Sequence, residues 1–154
     1  GGGQERGFRA GTENLPGVAG FAAALAARAN DTGWLDRAGA LRDRLEARLT
    51  AAGAIINGAG APRLPTISNL AMPGVAASTQ VMALDLAGFA VSAGAACSSG
   101  KVTTSHVLTA MGVAPALAAQ SIRVSLGWLT SEAEVDGFAA AWEALAARQA
   151  SRAA

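Results

Sequence analysis

The sequence predicts an α/β protein in which helices are layered on a small sheet. Three observations carry that reading. Segments with helical apolar spacing alternate with short apolar strand-like runs, a pattern of layered α/β or α+β folds. Hydrophobic residues make up 51% of the 154 residues and charged residues 15%, enough to bury a core and too apolar for disorder. Turn-forming residues close several of these segments, among them Gly53, Pro73-Gly74 and Gly88.

Taken in order, the glycine-rich, charged opening through Asn14 reads as loop. Asn14 can cap a helix with Pro16 in its first turn, so Leu15 to Ala29 is expected to be helical. Asn30 to Gly33 breaks it. Thr32 can cap a second helix from Trp34 to about Ala52, with Leu35, Leu41, Leu45 and Leu49 on or near one stripe and Arg37, Arg42, Asp43, Arg44, Glu46 and Arg48 expected on the wet face. Gly53 closes it. Ala54 to Ile56 and Thr66 to Met72 read as strands, the second ended by Pro73-Gly74. A helix from Ser78 to about Ala87 follows, then a strand from Phe89 to Ser92. Ser105 can cap a short helix to Met111. Ile122 to Leu126 alternates as a strand, with Ile122, Val124 and Leu126 on one face and Arg123 and Ser125 on the other. Ser131 and Glu134 form a capping-box pattern that opens a last helix to about Gln149. No internal repeat is present.

The bulk properties exclude several classes of function. The net charge is +1 and there is one lysine, so clustered basic charge for nucleic acid or an anionic membrane surface is lacking. No run of about 18 apolar residues marks a membrane span. A single cysteine excludes an internal disulfide framework and a multi-cysteine zinc site, and fits a reducing compartment. The chain opens on Gly1 rather than methionine and has no signal-peptide apolar stretch. The opening reads like the middle of a longer gene product, so the chain is expected to be a fragment.

Four features could carry chemistry. Cys97 lies in Ala96-Cys97-Ser98-Ser99-Gly100, a polar, small-residue run unlike the apolar strand or helix that hides an inert cysteine. A thiol with a pKa of about 8.5 is already a few per cent thiolate at neutral pH and a good nucleophile. The alternative is an unremarkable loop cysteine. Arg123 sits in an apolar strand and must send its charge either to a carboxylate, which its planar fork suits, or to solvent. Thr12, after Gly11 and near a helix N-terminus, could meet an anion such as phosphate, although spacing alone favours a cap. His106 and Lys101 read as a capping-region histidine and a solvated surface charge.

Taken together, Gly1-Gly2-Gly3-Gln4-Glu5-Arg6-Gly7-Phe8-Arg9-Ala10-Gly11-Thr12-Glu13-Asn14, Val91-Ser92-Ala93-Gly94-Ala95-Ala96-Cys97-Ser98-Ser99-Gly100, Ser105-His106-Val107-Leu108 and Ser121-Ile122-Arg123-Val124-Ser125-Leu126-Gly127 resemble the cysteine desulfurases. These are pyridoxal-phosphate enzymes of aminotransferase class V, of the kind that feeds sulfur to iron–sulfur cluster assembly. The motifs run in register from residue 1 to about residue 138. The Arg-x-Gly-Thr motif is common across class V, whereas Ala-Cys-Ser-Ser-Gly is much more specific.

The resemblance implies removal of sulfur from L-cysteine to give L-alanine and an enzyme persulfide. Cys97 matches the nucleophile that attacks the sulfur of the cofactor-bound cysteine. Arg123 matches the arginine that grips the substrate carboxylate. Thr12 matches the threonine that reaches the partner protomer's pyridoxal-phosphate phosphate, which overturns the cap-only reading. The implied fold is the C-terminal part of a fold-type-I pyridoxal-phosphate transferase. Residues 1–30 would be the tail of the large cofactor-binding domain with a dimer-contact loop. Residues 31–154 would be the small C-terminal domain, a short mixed or antiparallel sheet packed with helices. Implied partners are L-cysteine, an iron–sulfur scaffold or other sulfur acceptor, and a second copy in a homodimer. The implied setting is cytoplasmic, without nucleic acid, membrane or metal.

The family's Schiff-base lysine and ring-stacking histidine match nothing in this chain, so it is expected to lack desulfurase activity by itself. The Leu15–Ala29 helix is expected to show an orphaned apolar face. Two alternatives stand beside this reading. One is a selenocysteine lyase or another class V enzyme. The other is a non-catalytic module that accepts sulfur or binds a partner.

Overall fold

The structure is a computed structural model and describes residues 2–31, 33–94 and 105–153. Two compact units divide the chain, residues 1–34 and 35–154.

In the first unit, Gln4–Gly7 forms a tight turn in which Glu5 and Arg6 adopt left-handed φ angles of 51° and 57°. Helix α1, Leu15–Asn30, begins where the Asn14 side chain accepts a hydrogen bond from the Gly17 N–H at 3.1 Å, the cap read from the sequence. Pro16 in the first turn costs nothing there, because its missing N–H would have had no partner. None of the α1 residues is buried, and Leu15, Val18, Phe21 and Leu25 are exposed. The expected orphaned face is therefore present. Arg28 stacks over Trp34, 4.7 Å from its ring centroid. The Thr32 cap falls outside the described residues.

The second unit holds helix α2 (Trp34–Ala51, whose first residue belongs to the first unit), strands β1 (Ile55–Ile56) and β2 (Ile67–Ala71), and helix α3 (Ala77–Leu86). Strand β3 (Ser92–Ala93), helices α4 (His106–Ala110) and α5 (Pro115–Ala118), strand β4 (Ser121–Ser125) and helix α6 (Glu132–Ala153) complete it. Among the described residues the strands form one antiparallel sheet in the order β1-β2-β4-β3. No described helix is long and apolar enough to cross a membrane.

Period-two alternation divides the sheet into two faces. Leu70, Ile122 and Val124 lie on the buried face. They join Leu45 and Leu49 of α2, Leu84 of α3, and Val135, Phe138, Trp142 and Leu145 of α6 in one core. Burying side chains of this size stabilises by roughly 1.5–3 kcal/mol each. Arginines of α2 tie it to α6 at the rim: Arg44 reaches Asp136 at 2.7 Å, and Arg48 closes on both oxygens of Glu143 at 2.7 Å. Gly53 and Gly88 end α2 and α3 with φ near +90°, which lets Ala54 and Phe89 donate back to Leu49 and Leu84. The capping box forms as read: Ser131 N–H donates to Glu134 at 2.7 Å, and Glu134 N–H donates to Ser131 Oγ at 3.3 Å.

Helix α3, strand β3 and helix α5 differ from the sequence reading, and α6 runs on past Gln149 to Ala153. Helix α3 starts at Ala77, without a side-chain cap. Strand pairing begins at Ser92 rather than Phe89. Phe89 instead packs edge-on against Phe138 of α6, with ring centroids 5.7 Å apart, which draws that stretch toward the helical layer. Helix α5 was not expected, although Pro115 at its first turn is a recognised start signal.

Candidate functional site

The second face of the sheet carries polar groups. In the β2–β4 register Asn69 lies opposite Arg123, and in the β3–β4 register Ser92 lies opposite the same arginine. Directly opposed residues of an antiparallel pair project to one face, so these three side chains form a row across three strands. The row lines a cavity of about 480 Å³. Helix α4 supplies another wall through His106, Val107, Leu108 and Met111, with Ile67 and Ser121 on the sheet side.

Arg123 is exposed in this cavity, and its Nη2 donates to Ser92 Oγ at 3.3 Å. No carboxylate is among the described residues lining it, so no described wall residue neutralises the guanidinium charge. A planar fork with unspent donors fits a bidentate carboxylate. The apolar-strand argument that singled out Arg123 therefore ends in a cavity rather than on open surface.

Asn69 belongs to a directed chain of hydrogen bonds. The Leu117 carbonyl accepts from the Ser121 hydroxyl at 2.7 Å. Ser121 Oγ accepts from Asn57 Nδ2 at 3.0 Å, and that same amide donates to Asn69 Oδ1 at 2.6 Å. Asn57 is buried, and its N–H also donates to the Asn69 carbonyl at 2.9 Å. Sequence reading missed Asn69 and Ser92. The available signal was the one used for Arg123: a polar side chain inside an apolar strand must send its polar group somewhere.

Cys97 and Lys101 lie outside the described residues. The described residues that bracket that segment, Gly94 and Ser105, both line the Arg123 cavity. Ser105 caps α4, its Oγ accepting from the Leu108 N–H at 3.4 Å, and His106 is the exposed first residue of that helix. Ser105 is thus the cap read from the sequence, whereas His106 makes no capping bond among the described contacts. Thr12 belongs to the first unit, where Arg9 donates to the carbonyls of Gly11 and Thr12 at 3.2 and 3.4 Å. The Thr12 residue is exposed, beside Gly11 with φ +94°.

The aminotransferase class V family model matches residues 2–138. The chain belongs to this family. Family members are in general pyridoxal-phosphate enzymes. The chain is 41% identical over 138 residues to a cysteine desulfurase of Klebsiella pneumoniae, covering 88% of this chain and 35% of that protein. It is 44% identical over 139 residues to the cysteine desulfurase IscS of Anaeromyxobacter sp. (strain Fw109-5), covering 88% of this chain and 34% of the relative. An X-ray structure of a NifS-like protein from Rickettsia africae ESF-5 superposes with a TM-score of 0.82 at 33% identity. That match covers 94% of this chain and 38% of the solved chain. The chain thus spans about a third of the length of these class V relatives.

Proposed function

We propose that this chain is the C-terminal portion of a pyridoxal-phosphate-dependent cysteine desulfurase. Residues 1–30 would be the tail of the cofactor domain and residues 31–154 the small domain that receives substrate and carries the sulfur. The observation that carries the reading is the Arg123 guanidinium, facing no described carboxylate, in a cavity whose walls include both residues bracketing the Cys97 segment.

The chemistry divides by residue. Arg123 takes the L-cysteine carboxylate with its fork and fixes the direction in which the side chain points. Ser92 holds the guanidinium in that orientation. Cys97, as thiolate, attacks the substrate sulfur. A sulfur–sulfur bond forms as the substrate carbon–sulfur bond breaks, leaving L-alanine and a persulfide on Cys97. Pyridoxal phosphate, when bound, supplies the electron sink for that bond cleavage. The exposed Thr12 fits a phosphate contact for the cofactor of the partner protomer in a homodimer. Lys101, the one lysine of the chain, matches no Schiff-base position of the family, so the lysine that would hold the cofactor covalently belongs to a cofactor domain. An iron–sulfur scaffold or another sulfur-acceptor protein would take the persulfide sulfur, in a reducing cytoplasmic setting.

The test uses a protein in which this chain follows a lysine-bearing cofactor domain, supplied with L-cysteine and a reducing thiol. Alanine and sulfide should appear in equal amounts. Arg123→Ala should raise KM for cysteine about ten- to a hundred-fold, the loss of a charge-assisted hydrogen bond. An unchanged KM would remove Arg123 from carboxylate binding.

A further inference from the structure

We propose that Asn69 is a second binding residue for the carboxylate taken by Arg123, offering its Nδ2 as a neutral donor beside the guanidinium. The inference rests on the carboxylate-binding reading of Arg123 and extends it.

The direction of the Asn69 amide follows from its neighbours. The Leu117 carbonyl can only accept, so the Ser121 hydroxyl spends its hydrogen there. Ser121 Oγ is then an acceptor for Asn57, which fixes the Asn57 atom as the NH₂ group. The second hydrogen of that NH₂ goes to Asn69, so the Asn69 atom it meets is the carbonyl oxygen. Asn69 Nδ2 is left as the outward group, and no described residue accepts from it. Four linked groups therefore turn a two-fold ambiguous side chain into a defined donor.

Placement does the rest. Asn69 and Arg123 are directly opposed across β2 and β4 and line the same cavity. Side chains so paired start about 5 Å apart at Cβ. A carboxylate offers about four lone-pair sites, and a bidentate arginine fork uses two. The Asn69 amide can take a third without adding charge. Its service is directional: it favours one rotation of the carboxylate about the fork.

The test is an NMR titration of the ¹⁵N-labelled 154-residue chain with sodium propionate, against sodium chloride at matched ionic strength. The Asn69 side-chain NH₂ and the Arg123 Nε–H signals should move along one saturation curve with a common Kd. Arg123→Ala should abolish saturation. Asn69→Ala should raise Kd about ten-fold, with its amide spectrum reporting whether the sheet is retained. The wild-type titration decides the matter if that variant does not fold. Saturation at Arg123 with a stationary Asn69 NH₂ would overturn this inference and leave the Arg123 reading standing. Saturation at neither residue would overturn both.

Discussion

Arg123 Nη2 donates to Ser92 Oγ at 3.3 Å across the β3–β4 pair, so the exposed arginine is held by a hydroxyl rather than by an acid. A hydroxyl can orient a guanidinium without spending its charge, which leaves the charge for a ligand. In a protein that joins this chain to a cofactor domain, Ser92→Ala should raise KM for L-cysteine about two- to ten-fold, the worth of an ordinary hydrogen bond, with kcat little changed. Steady-state kinetics with L-cysteine checks this. A fall in kcat at constant KM would mean that Ser92 acts elsewhere.

Glu46 and Arg63 form a bidentate pair at 2.7 and 2.9 Å between α2 and the loop before β2. Burial works to raise the Glu46 pKa, but the hydrogen bonds and charge of Arg63, together with Ser68 and the charge of Arg42, outweigh it and hold the value below the usual 4.5. The stabilisation is complete above that unfolded-state value and is lost as pH falls through the lower native one. Glu46→Gln should cost about 1–2 kcal/mol at pH 7, allowing for solvent screening of a partly exposed pair. Urea unfolding at pH 7 and pH 3 should show the gap between wild type and variant shrinking in acid.

Leu49 is fully buried, whereas Leu25 of α1 is 54% exposed. Leu49→Ala should destabilise the second unit by about 2–5 kcal/mol through lost burial and a cavity. Leu25→Ala should change the stability of this chain by less than about 0.5 kcal/mol. Denaturant unfolding of both variants checks the contrast. A large loss from Leu25→Ala would contradict the unburied state of α1.

Local chemistry made much of the fold legible. Asn14 and the Ser131–Glu134 pair cap helices for reasons contained within four residues, and the alternation of Ile122, Arg123 and Val124 declares two faces of a strand. The point at which pairing starts was not legible, because Phe89 is drawn away from the sheet edge by Phe138, 49 residues further on. The site divides in the same way. Arg123 stood out as a charge within an apolar strand. Asn69 did not, because its meaning comes from Asn57, Ser121 and Arg123, which only the register brings together.

The central claim is that Cys97 receives sulfur from L-cysteine. The most direct measurement is mass spectrometry of peptides from the cofactor-domain fusion after one turnover with L-cysteine, without reductant. The expected result is a 32-Da adduct, one sulfur atom, on the peptide containing Cys97, with matching alanine. Alanine formation with no adduct on that peptide, or full desulfuration by Cys97→Ala, would contradict it.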